Sequence, residues 1–294
     1  MFALRKALVI FFCVCGSNLL AEAPLRVWVG IPPLAELVRA LGGEQVSVQL
    51  LVGRGQSHET FSPTARQMRT LANADVYFAM GLPFENVLLQ RIGNAMPHLQ
   101  VVDTVATVPL LDLASEHGCS NCHAHDHNDH SHHVDVHRWL SPPILIAQTK
   151  AVVASLSRLR PQSAAAFETH AAAFIADVEE LDKALQSQLA PHRNSAFMIN
   201  HPALGYFADH FGLRQIAIES EGLQPSPARI RELSRQANEQ SVRWVIIQAG
   251  QPRTAAAVLA RSLELPVIEV DPFNPDALGE MRALTKALVS LPTP

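Results

Sequence analysis

The chain has 294 residues, with 23 basic side chains against 27 acidic ones and a net charge of −4 when histidine is neutral. That length implies one large domain or two of ordinary size, since a single core stops growing near about 250–300 residues. A hydrophobic share of 48% excludes a disordered chain, the interrupted apolar runs exclude a multi-span membrane protein, and nothing builds a basic face, so no nucleic acid partner is expected.

The N-terminus reads as an export signal. Arg5 and Lys6 precede the apolar run Ala7 to Cys15, and a polar break Gly16-Ser17-Asn18 leads to the small-x-small triplet Ala21-Glu22-Ala23. Residues 1–23 are therefore expected to be removed, with cleavage between 21 and 23, leaving an exported protein. Cys13 and Cys15 leave with that segment, so only Cys119 and Cys122 remain. In an oxidising compartment they can pair as a disulfide, or they can hold metal as thiolates beside neighbouring histidines.

From Leu25 onward, strand and helix patterns alternate. Arg26–Gly30 predicts a strand, Pro33–Leu41 a helix closed by Gly42-Gly43, Val46–Leu51 a strand, and Thr64–Ala72 a helix opened by Pro63. Asp75–Ala79 predicts a strand, Phe84–Ile92 a helix, and Leu99–Val102 a fourth strand. Such alternation implies a parallel sheet covered by helices. The pattern stops from Asp112 to Asp135, where His117, His123, His125, His127, His130, His132 and His133 crowd among small polar residues. This stretch, 115–134 at its centre, reads as a biased loop whose histidines offer auxiliary weak metal sites.

A helix is predicted from the Ser141-Pro142 start to about Leu159, where Pro161 breaks it. Gln162–Leu189 has neither Gly nor Pro, and its apolar positions Phe167, Phe174, Val178, Leu181 and Leu185 follow helical spacing. It can form roughly 40 Å of continuous helix, either a rod joining two lobes or a long helix packed on one domain. After Pro191 the strands Phe197–Ile199, Arg214–Ile218, Val242–Ile247 and Val267–Val270 alternate with helices at Leu204–His210, Pro227–Glu239, Arg253–Leu263 and Pro275–Leu291. The expected organisation is an α/β fold: an N-terminal lobe over 24–160, a linking helix over 161–191 and a C-terminal lobe over 192–294.

In open α/β sheets, ligands collect at the carboxyl ends of the strands. Metal-competent residues at such places are His58, after the second strand, His201, directly after Phe197–Asn200, and Asp271, directly after Val267–Val270; His137 lies just before the Ser141 helix start. Three imidazoles and a carboxylate suit a borderline cation such as Zn²⁺ in tetrahedral coordination better than Mg²⁺ or Ca²⁺. These residues stand more than 60 positions apart, so spacing alone does not bring them together. Imidazoles bind metal only when neutral, which predicts affinity falling below about pH 6.5.

The same residues sit in segments that resemble the periplasmic zinc- and manganese-binding proteins of ABC importers, the cluster A-I solute-binding family. Gly55-Gln56-Ser57-His58 with Ser62-Pro63 is similar to their first-histidine loop, Val136-His137-Arg138-Trp139-Leu140-Ser141-Pro142 to the second, and Asn200-His201-Pro202-Ala203-Leu204-Gly205-Tyr206-Phe207 to the third. Glu221-Gly222-Leu223-Gln224-Pro225-Ser226-Pro227 and Val270-Asp271-Pro272 extend the match in order through nearly the whole mature chain. The resemblance implies two α/β lobes joined by a rigid helix, with His58, His137, His201 and Asp271 as metal ligands in the cleft between them. Water or Glu59 is the alternative source of the fourth oxygen. A histidine rather than a carboxylate at 201 and the histidine-rich loop both favour zinc. The sequence departs from the family at Gln248, where a glutamate is common.

The expectation is a monomeric, non-enzymatic carrier that captures Zn²⁺ as its transported substrate and delivers it to a membrane permease. The alternatives are a manganese or broad divalent-metal carrier of the same family and, in a different class, a zinc-dependent hydrolase. The chain has no His-Glu-x-x-His run, and a fourth protein ligand would close the open position that catalysis needs.

Overall fold

The computed structural model describes residues 22–53, 55–111, 135–219 and 225–291. Residues 1–21 of the export segment, the histidine-rich stretch 115–134 with Cys119 and Cys122, and Glu221 lie outside the described residues.

The described residues form two four-stranded parallel sheets. The first contains β1 (Leu25–Val29), β2 (Val46–Leu50), β3 (Val76–Ala79) and β4 (Gln100–Asp103) in the order β2-β1-β3-β4. The second contains β5 (Ala196–Ile199), β6 (Arg214–Ala217), β7 (Val242–Gln248) and β8 (Val267–Val270) in the equivalent order β6-β5-β7-β8. The central strands β3 and β5 are buried at every position, so they read as continuous apolar runs, as expected for strands covered on both faces.

The helices follow from local chemistry. In α1 (Pro32–Gly42), prolines occupy the first turn, where no amide partner is missed, and Gly43 at φ 52° ends the helix by donating its amide to Arg39 O. In α2 (Ala65–Leu71), Thr64 and Gln67 form a reciprocal capping box, so threonine, rather than the preceding Pro63, sets the start. The helix α3 (Pro83–Ala95) carries Glu85 near its start. This carboxylate, fully buried, accepts from the amides of Met80 and Leu82 and from the Tyr77 hydroxyl at 2.6 Å, which holds the loop after β3. Burial pushes the Glu85 carboxyl above its ordinary range. After β8, Asp276 accepts from the Gly279 amide at 2.8 Å, so α9 (Ala277–Ser290) starts two residues later than the pattern predicts.

The helix α4 (Pro142–Leu159) is followed by α5 (Ala164–Leu189), whose 26 residues span about 39 Å. Its buried face, Phe167, Ala171, Val178, Leu181, Leu185 and Leu189, packs on α1 and α4 from the first half and on α9 and α6 (Gly205–Phe211) from the second. Neither a bare rod nor a helix confined to one domain describes it, because it lies along both. One continuous hydrophobic cluster runs from Val27 and Trp28 through this face to Phe197, Trp244 and Met281, so the halves share a core. The helices α7 (Pro227–Glu239) and α8 (Thr254–Ser262) form a smaller apolar layer against β7. No helix among the described residues is long and apolar enough to cross a membrane.

Candidate metal centre

The carboxyl edges of the two sheets place three histidines at one spot. The loop after β2 turns where Gln56 Oε1 accepts the Gly53 amide at 2.8 Å, and this turn delivers His58. His137 lies on the extended segment leading into α4, and His201 follows β5 directly. All three are buried, at 3%, 5% and 6% exposure, which excludes the solvated loop role that a lone histidine usually takes. His58 and His137 stand with ring centroids 5.0 Å apart, and His137 and His201 with centroids 5.1 Å apart.

The nitrogens point inward together. His137 Nε2 lies 3.3 Å from His201 Nε2, and His201 Nε2 lies 3.3 Å from Glu59 Oε1. His58, Glu59 and His137 each offer a ligand atom within 4.8 Å of the others. His58 Nε2 is buried without a hydrogen-bond partner among the described residues. A tetrahedral zinc with bonds of about 2.0–2.1 Å has ligand–ligand edges of about 3.3–3.4 Å. The separations of His201 from His137 and from Glu59 match that edge, and His58 stands within 4.8 Å of Glu59 and His137.

Aromatic walls make the site dry. Trp139 stands 5.9 Å from the His58 ring and 5.3 Å from the His137 ring, and Phe273 stands 5.1 Å from His58. The Trp139 indole donates to the Pro272 carbonyl, tying the second-histidine segment to the loop after β8. Removal from water lowers the His58 pKa from 6.5 to about 2, with repulsion from charged His137 and His201 as further causes. Burial likewise lowers His201 to about 3, with His137 adding to the effect and Asp135 opposing it. Both imidazoles are thus held neutral, the form that binds metal, far below the ordinary histidine value. The protonation expected near pH 6.5 is displaced downward for these two because a charged imidazole has no water around it.

Asp271 stands at the end of β8 but is occupied locally. Its Oδ1 accepts the Phe273 amide at 3.0 Å and its own amide donates to Glu280 at 2.8 Å. The carboxylate lying among the imidazoles is Glu59, partly exposed and adjacent to His58 in sequence. Gln248 sits nearby at the end of β7, where its amide donates to Asn200 Oδ1 at 2.7 Å, next to His201. One residue escaped the sequence reading. Asp135, fully buried, accepts from the His137 ring Nδ1 at 2.9 Å, and the Asp-x-His spacing is the signal that would have found it. The other histidines among the described residues have structural partners: His170 meets Leu41 O, His98 meets Ala72 O, His192 meets Arg243 at 3.2 Å, and His210 meets Asp182 at 2.7 Å.

The model of the family described as zinc-uptake complex component A, periplasmic, matches residues 27–290. The chain belongs to this family. The chain is similar to the zinc-binding lipoprotein AdcA of Streptococcus pneumoniae, 26% identical over 272 residues, covering 90% of this chain and 53% of that protein. The chain thus spans about half the length of the AdcA relatives it matches. A putative metal-binding protein of Treponema pallidum is 29% identical over 246 residues, covering 81% of this chain and 76% of its own length. Among solved structures, ZnuA is similar with a TM-score of 0.79 at 26% identity, covering 90% of this chain and 98% of that one. The family resemblance therefore extends over both sheets and both sides of the histidine cluster.

Proposed function

We propose that the chain is the extracytoplasmic zinc-binding subunit of an ABC importer, exported by residues 1–23, acting as a monomer and delivering Zn²⁺ to a membrane permease. The observation that carries this reading is the convergence of three buried imidazoles and Glu59, with His201 at tetrahedral edge distance from both His137 and Glu59 and with His58 beside His137. Zinc is the transported substrate, held by His58, His137 and His201 with one carboxylate. Glu59 supplies the nearest oxygen, while Asp271 keeps one oxygen on the Phe273 amide and has the other to offer.

Chemistry favours zinc over manganese here. Imidazole donors follow the first-row affinity order, in which zinc stands well above Mn²⁺, and the latter prefers oxygen-rich shells. A carrier fits better than a hydrolase, because a coordinating carboxylate closes the open position a catalytic water would need. The family is described by zinc uptake rather than by catalysis. The test is a chelator-competition titration of residues 24–294, together with zinc-dependent growth of a deletion strain. One tight zinc per chain and a growth defect restored by excess zinc are expected. Tight binding of Mn²⁺ equal to that of Zn²⁺, or normal zinc uptake in the deletion, refutes the reading.

A further inference from the structure

We propose that Asp135 is the positioning residue of the cleft: it fixes the tautomer and aim of His137, and the second half of the molecule seats it there. The inference rests on the zinc reading above for its consequence but on hydrogen-bond geometry for its mechanism.

A carboxylate only accepts hydrogen bonds. Asp135 Oδ1 lies 2.9 Å from His137 Nδ1 and 2.8 Å from the His137 amide nitrogen, so both nitrogens must donate to it. The ring therefore carries its proton on Nδ1 and turns the Nε2 lone pair towards His201 and Glu59. A free neutral imidazole carries its proton on either nitrogen, and the Nε2–H form binds no metal through Nε2. Asp135 removes that choice and also stops the ring from rotating, since the same oxygen grips ring and backbone.

The carboxylate is held from several sides. The Asp135 amide donates to Leu111 O at 3.0 Å, and its carbonyl and that of Pro109 each lie 3.2 Å from the Tyr206 hydroxyl and share its one proton. That hydroxyl also accepts the Leu111 amide at 3.0 Å, so Tyr206 of α6 clasps the two chain segments that flank 112–134. Oδ2 is buried, without a hydrogen-bond partner among the described residues, and faces the first residue of α6, where a Cβ on Gly205 would collide with it. Only glycine lets the helix start this close to the carboxylate. The second sheet's first helix thereby presses on a group that aims a ligand of the first half. The placement of α6 and the orientation of His137 are one mechanical unit.

The experiment compares Asp135→Ala, Asp135→Asn and Gly205→Ala with the parent. The tautomer of His137 is read in metal-free protein by long-range ¹⁵N–¹H spectra, and zinc affinity by chelator competition. Asp135→Ala should abolish the pure Nδ1–H form and weaken zinc about 10–100-fold, the usual cost of removing such an outer partner. Asparagine can still accept both bonds, so Asp135→Asn should keep the Nδ1–H form and bind more tightly than Asp135→Ala. A general loss of packing would affect both alike and would not redistribute the proton. Gly205→Ala, which keeps the Asp135 side chain but pushes its carboxylate aside, should lower affinity in the same direction as Asp135→Ala. An unchanged tautomer or parent-like affinity in Asp135→Ala overturns the proposal. If that variant does not fold, an unchanged tautomer and affinity in Gly205→Ala overturn it instead. Since the tautomer is read without metal, a parent that failed to bind zinc would refute the zinc reading and leave this one to its own answer.

Discussion

Lowering the pH should destabilise the metal-free protein through His58 and His201 in particular. Both are held neutral when folded, with pKa values of about 2 and about 3 against 6.5 for the free side chain. The unfolded chain takes up a proton at each site below about pH 6.5, and the folded chain does not. Their contribution is therefore intact above that value and is lost progressively as pH falls towards the folded-state values. Between pH 7.5 and 5, linkage gives a loss of about 2 kcal/mol per site, or about 4 kcal/mol for the pair. That is a large share of a typical folding free energy of about 5–15 kcal/mol. The assay is urea denaturation in chelator at the two pH values, followed by the fluorescence of the buried Trp139 and Trp244. Parent and His58→Asn are compared, so titrations common to both cancel. The lowering of His201 should persist in that variant, because burial is its largest cause. The parent should lose about 2 kcal/mol more than His58→Asn over this interval. Equal losses would mean that folded His58 takes up its proton in water, and that the dry site drawn here is wrong.

His58→Ala, His137→Ala and His201→Ala should each weaken tight zinc binding by at least about 10-fold, while Glu59→Ala and Asp271→Ala, measured by the same competition, show which carboxylate is the fourth ligand by which loss is greater. Cobalt substitution should give the intense visible bands of a four-coordinate ion, and a weak six-coordinate spectrum would argue against the tetrahedral coordination proposed above. Deleting 115–134 should leave one tight zinc per chain and abolish additional weak binding in calorimetry, since the cleft ligands lie outside that stretch. Loss of the tight site on deletion would mean that the segment supplies primary ligands.

Much of this architecture is written locally. The strand and helix boundaries follow from periodicity, prolines and caps within a few residues, and the strand-end positions of His58, His201 and Asp271 follow from where those patterns stop. The departures are small shifts at helix starts, where a side-chain cap such as Thr64 or Asp276 outranks the nearest proline. The sequence by itself also determined the donor types, and donor type is what selects zinc. What only the tertiary structure decided is everything that depends on residues more than 60 positions apart meeting in one place. Packing of the two sheets along α5 brings three imidazoles together, sets His137 and His201 a tetrahedral edge apart, puts Glu59 among them, and leaves Asp271 in its own turn. Trp139 and Phe273 then shield His58 from water, and that burial is the largest cause of the fall in its proton affinity, ahead of repulsion from His137 and His201. The grip of Asp135 on His137 is two residues long in sequence, yet its seat is Gly205 and Tyr206 on α6 of the opposite half, because a side chain's orientation is set by whatever fills the space around it.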